Sequence, residues 1–124
     1  MKITIPISLG ELYDKISILE IKQENISDLE KISNINKELL ELKILSDQYP
    51  IDSNDYLQLV EVNKRIWDIE DGIREEERNK DWGEDFIKFA RAIYFTNDKR
   101  AEIKKQINTS YGSEIIEEKS YAKY

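Results

Sequence analysis

A mainly α single domain is predicted by three observations: apolar residues recur at three-and-four spacing in four long stretches, Gly and Pro number only four and two, and charged residues make up 36% of 124. Three-and-four spacing puts side chains on one helical face, and few turn residues with many charges suit long helices with solvated outer faces. The length is that of one domain, residues 1–124, able to bury a core without disulfides or metal. The expected architecture is an antiparallel bundle of four principal helices, with a short extended N-terminal arm and a docked C-terminal tail.

Lys2 to Ile7 alternates polar and apolar residues and includes Pro6, so it reads as an extended arm or edge strand. Ser8 with Glu11 is a capping-box signature, and Leu9, Leu12, Ile16, Leu19 and Ile26 continue behind it as a seam, with Gln23 as its polar member. Ser27 with Glu30 repeats the signature and restarts a helix whose seam is Ile32, Ile35, Leu39 and Leu42. Tyr49-Pro50 ends it, because the proline ring disfavours helical geometry in the preceding residue. A third helix runs from about Asp55 to about Arg78 on Leu59, Val62, Ile66, Ile69 and Ile73, bordered by the row Asn63, Trp67, Glu70 and Arg74. Asp81 with Glu84 is a third capping-box candidate, starting a helix with Phe86, Phe89, Ile93, Ile103 and Ile107 on one face. Gly112 suits its C-terminal cap.

A net charge of -7 argues against nucleic-acid binding, which needs Lys and Arg to neutralise phosphates, and equally against a membrane-surface role. No apolar run is long enough to cross a bilayer and the N-terminus lacks the apolar core of a signal peptide, so a cytoplasmic location is expected. Zero His and zero Cys remove the usual nucleophile pairs and the commonest transition-metal ligands. No catalytic residue, cofactor or metal site is indicated.

Functional candidates arise where the fourth helix breaks its pattern. Asn97, Arg100, Lys104 and Asn108 place donors on one side of it, suited to a phosphate, carboxylate or sulfate. Arg74 and Trp67 on the third helix would add a second cation and a stacking face. Against this stands an internal ion-pair network in which Glu70 or Asp71 neutralises Arg100 and Asp98 takes a further charge. Two carboxylate pairs, Glu38 with Glu41 and Asp68 with Asp71, have the spacing that a Mg²⁺-dependent hydrolase would use.

Four ordered blocks, SLGELYDKISILEIK at 8–22, VNKRIWDIEDGIR at 62–74, FIKFARAIYFTNDKRAEIKKQIN at 86–108 and GSEIIEEKSYAKY at 112–124, resemble an uncharacterised family of short helical bacterial and phage proteins. The resemblance implies a compact helical domain and brings no activity. It also implies that Lys119 and Tyr121 belong with the other polar positions, so the tail is expected to close the site. The resulting expectation is a non-catalytic, homo-oligomeric binding protein for an anionic small molecule, foremost a nucleotide or nucleotide-derived signal, held in sequestration in a phage setting. Two alternatives are a Mg-dependent pyrophosphatase-like hydrolase and a helical adaptor for a partner protein.

Overall fold

The computed structural model describes residues 1–124. Four helices form: α1 Leu9–Asn25, α2 Leu29–Gln48, α3 Ser53–Arg78 and α4 Glu84–Ser110, with no strand. The fold is the mainly α bundle its periodicity predicts. Contacts across each pair give the directions. Gln23 bonds Asn36 and Tyr13 bonds the carbonyls of Ser46 and Tyr49, so α1 and α2 are antiparallel. α4 runs antiparallel to both α1 and α3, through Gly10 with Asn108 and Asn63 with Arg100.

The packing is centred on α1, which contacts all three other helices, whereas α2 contacts α1 alone. Consequently two half-cores lie on either side of α1. Leu12, Ile16, Leu19, Ile35 and Leu39 fill the α1/α2 side, and Tyr13, Leu59, Val62, Ile103 and Ile107 fill the side shared by α1, α3 and α4. The predicted seams supply all of these residues but Tyr13, which lies one position from Leu12 on α1 and packs on the α3/α4 side. Ile69 alone is buried beyond Asn63 on α3, and Phe86, Phe89 and Ile93 are only half-buried, because α1 ends at Asn25 and the distal α3/α4 hairpin continues without it.

The helix ends show where local sequence decides structure. Ser8 caps α1 by accepting from Glu11 N–H at 3.2 Å, while the Glu11 carboxylate, the other half of the expected box, bonds Lys104 instead. α2 is capped by Asp28, one residue after the Ser27 predicted, and α3 by Asp52. Gly112 takes the left-handed conformation after α4 (φ 69°), and Ser113 N–H returns to the Asn108 carbonyl at 2.8 Å. The third capping box does not form. Asp81 N–H instead closes the end of α3 on the Glu76 carbonyl at 2.9 Å, and α4 starts behind Gly83 with no side-chain cap.

That same α3 terminus holds Lys80 at φ 53°, the position where glycine is preferred because a Cβ crowds the backbone. Lys80→Gly is expected to raise stability by about 0.5–1 kcal/mol, read as a higher urea midpoint with unchanged slope. The arm, Met1 to Pro6, is exposed and extended but pairs with no strand; Lys2 ties it to Glu41 on α2 at 3.1 Å.

Candidate functional site

The polar centre of the molecule is a chain of hydrogen bonds crossing three helices. Asn63 on α3, 4% exposed, donates from Nδ2 to the Asp14 carboxylate and to Ser17 Oγ on α1, both at 2.7 Å. Its Oδ1 accepts from Arg100 Nη1 on α4 at 3.1 Å, and Asn97 Oδ1 accepts from Arg100 Nη2 at 2.8 Å. Both partners of Arg100 are therefore neutral amides. No carboxylate lies within ion-pair distance of it, and of its five N–H donors two are used within the protein.

Lys104, one turn further along α4, is held differently. Its Nζ is 2.6 Å from Glu11, 3.5 Å from Glu117 and 3.8 Å from Asp14, so three carboxylates surround one largely buried ammonium. Its charge compensates the buried Asp14 and ties α1, α4 and the tail together.

Arg100 stands where two pockets meet. One, of about 300 Å³, lies in the notch where α1 ends against α3, walled by Ile18, Ile21, Ile66 and Trp67 with polar groups from Asn63, Glu70, Asp71, Arg74 and Arg100. The other, of about 220 Å³, lies between α4 and the tail and is lined by Asn97, Asp98, Arg100, Ala101, Lys104, Lys119 and Tyr121. Of the expected ligand contacts, Trp67, Arg74 and Arg100 thus share the apolar pocket, and Asn97, Arg100, Lys104, Lys119 and Tyr121 share the polar one.

Several expected roles change. Asn108 is 1% exposed and its Oδ1 accepts from Gly10 N–H at 2.7 Å, so it is a clamp between helices. Neither Glu70 nor Asp71 neutralises Arg100. The close approach of Gly72 to the Phe89 ring sets an antiparallel register that brings Asn63 opposite Arg100, two turns from Glu70. Glu70 pairs with Arg74 within α3, Asp71 has no cation within 4 Å, and Asp98 accepts from the Tyr124 hydroxyl at 2.5 Å in place of an ion pair. The two carboxylate pairs do not come together: Glu38 and Glu41 lie on α2, whose backbone does not pack against α3, the helix that carries Asp68 and Asp71. No group of three or more acidic residues is close enough to hold a metal ion.

Glu11, Asp14 and Ser17 belong to the polar centre, although the sequence pattern gave Glu11 only a capping role and Asp14 and Ser17 none. A signal was present. Gly10, Asp14 and Ser17 recur at four and three, a small-and-polar row beside the apolar seam of α1.

The tail runs back along α4. Ser113 Oγ accepts from Leu9 N–H, Lys105 pairs with Glu118 at 2.9 Å, and Tyr124 packs against Tyr94 and Phe95. Lys119 bonds Glu117 at 2.9 Å, and this contact, joined by the charge of Lys104, lowers the Glu117 carboxyl below its ordinary value of 4.5. A lowered native value means that docking is favoured above pH 4.5 and the contribution disappears as pH falls through the native value. Lys119 is raised above 10.5 by the same bond, so its contribution is present below 10.5 and lost at higher pH. Proteolytic cleavage within residues 114–124 is therefore expected to accelerate as pH falls below 4.5 while α1 to α4 remain protected, by roughly two- to fivefold, the worth of one partly exposed pair, here Glu117 with Lys104.

With this geometry in place, the whole chain, residues 1–124, matches the model described as "Family of unknown function (DUF6165)". The chain belongs to that family. No curated protein and no solved structure matches it. No helix of this family member is long and apolar enough to cross a membrane.

Proposed function

We propose that this protein binds, without converting it, a small molecule that joins a flat ring to an anionic group, a nucleotide being the first choice. The observation that carries the reading is Arg100. Its guanidinium is held by two neutral amide oxygens, keeps donors beyond those the protein uses, and lines both an apolar and a polar pocket. A guanidinium with no internal carboxylate is suited to a phosphate or carboxylate from outside, because charge-assisted, bidentate pairs are the strong ones. The ring would lie against Trp67 and the neighbouring isoleucines. The anionic group would meet Arg100 and Lys119, with Tyr121 closing over it. The apolar pocket, about 300 Å³, stands at the lower end of the range that small ligands use, and the polar pocket of about 220 Å³ adjoins it at Arg100. Lys104 contributes less than its charge implies, since three carboxylates already surround it.

The test is mass spectrometry of small molecules released on denaturing the purified protein, followed by calorimetric titration with nucleoside mono-, di- and triphosphates. Recovery of an unchanged nucleotide supports the reading. Trp67→Ala should then weaken binding about ten- to a hundredfold, the usual worth of one base–aromatic stack. Lys119→Ala, at an exposed position, should weaken it about tenfold with α1 to α4 unchanged. An empty extract with no heat from any nucleotide would overturn the reading and leave the Asn63 network as architecture. Turnover of a nucleotide on adding Mg²⁺ would favour a hydrolase.

A further inference from the structure

The chain exposes 9012 Å² for a mass of 14.7 kDa. A compact monomer of that mass exposes about 6,900 Å², so roughly 2,100 Å² is in excess. The extended arm and tail account for part of it. Another part is α2, a 20-residue helix with a single helix neighbour.

α2 carries two apolar stripes. Ile32, Ile35, Leu39 and Leu42 face α1, as already described. Leu29, Ser33, Leu40 and Ile44 recur at four, seven and four, and lie roughly a third of a turn away on the outer side. Leu29 is 83% exposed, Leu40 65% and Ile44 56%. Leu29, Ile32, Ser33, Asn36, Lys37 and Leu40 border an open groove of about 440 Å³ on this side. Contiguous exposed aliphatic side chains of this kind mark interaction surfaces more often than they stand free.

We propose that the outer stripe of α2 is a two-fold interface and that its occupant is α2 of a second copy of this chain. Charge selects the occupant. Of the net -7, α2 carries only -1, with three Lys against three Glu and one Asp, so two copies meet there with little repulsion. The other sparsely covered region, the distal α3/α4 hairpin from Asp68 to Arg91, carries nine acidic against five basic residues and would repel its own image. The stripe is also self-complementary. In an antiparallel pairing centred between Asn36 and Lys37, Leu29 meets Ile44 and the small Ser33 meets Leu40 across the axis, each contact occurring twice as two-fold symmetry requires. A standard interface covers about 800 Å² per partner, well within the excess, and the arm residues Ile3 and Ile5, tethered to Glu41 by Lys2, lie available to extend it.

Light scattering coupled to size exclusion tests this on the full chain. The expected mass is twice 14.7 kDa, falling to 14.7 kDa for Leu40→Glu/Ile44→Glu with an unchanged helical circular dichroism spectrum, since both positions are exposed. A wild-type mass of 14.7 kDa at the highest concentration reached overturns the proposal, as does a dimer that survives those substitutions or that Ile87→Glu dissociates instead. Because the chain has no cysteine, register can be read directly. Ser33→Cys/Leu40→Cys should oxidise to a cross-linked dimer while neither single variant does; cross-linking by either single variant would overturn the antiparallel arrangement.

Discussion

Replacing Asn63 by leucine is expected to cost about 3 kcal/mol, measured by urea unfolding followed by circular dichroism, although the side chains are close in size. Asn63 makes three hydrogen bonds in a buried setting, two to α1 and one to α4. Leucine would satisfy none of them. The buried Asp14 carboxylate would lose its closest donor and keep only Lys104 at 3.8 Å, and Ser17 Oγ would lose a donor as well. Each buried polar group deprived of its partner costs about 1–3 kcal/mol, more where it is charged, while the added apolar contact returns part of that. Asp14→Asn in the same background should recover some of the loss, because the uncompensated charge is its largest component. Equal stability of Asn63→Leu and wild type would mean that water satisfies these groups and that Asn63 does not organise the site.

Gly10→Ala is expected to destabilise by about 2 kcal/mol, opposite in sign to its helix propensity. Within a helix, alanine is favoured over glycine by about 1 kcal/mol, so an exposed site would gain. Here the added Cβ would stand 2.5 Å from the Lys104 carbonyl oxygen and 3.0 Å from Asn108 Oδ1. Backbone cannot turn aside as a side chain can. α1 and α4 must separate, weakening the Gly10 N–H bond to Asn108 and shifting Lys104 relative to Glu11, with overpacking of this kind typically costing 1–3 kcal/mol. Gly72→Ala is the internal comparison: its Cβ would meet the Phe89 ring at 2.5 Å, and a half-buried ring can move. A smaller loss at Gly72 than at Gly10, measured by thermal unfolding, is the expected order. A gain at Gly10 would show that the α1/α4 contact is looser than 2.5 Å implies.

These two residues also explain how far a linear reading reaches. The seams on α1 to α4 were legible because burial on one helical face imposes a period, and Leu12, Ile16, Leu59, Val62, Ile103 and Ile107 lie where that period puts them. Ser8 and Gly112 were legible because a cap acts on backbone groups within a few residues of itself. Asp81 misled because the end of α3 and the start of α4 compete for the same short link, and the N–H of Asp81 was claimed by Glu76. The break at Asn97, Arg100 and Lys104 was visible as an interruption of the apolar period. The partners of Arg100 and Lys104 on other helices were not, since Asn63 is 37 residues from Arg100 and Glu11 is 93 from Lys104.

By itself, the sequence determined four helices, their inward faces, most of their ends and the set of polar residues that do not belong to a plain core, all properties of local periodicity and backbone chemistry. Only the tertiary structure decided which polar groups meet. Two glycine contacts fix the register of α4 against α1 and α3, and that register gives Lys104 the carboxylates of Glu11 and Asp14 and Arg100 none. No helical period specifies how far one helix slides along another. Steric contact at Gly10 and Gly72 does, and so separates the cation that holds the fold together from the one left to face the pockets.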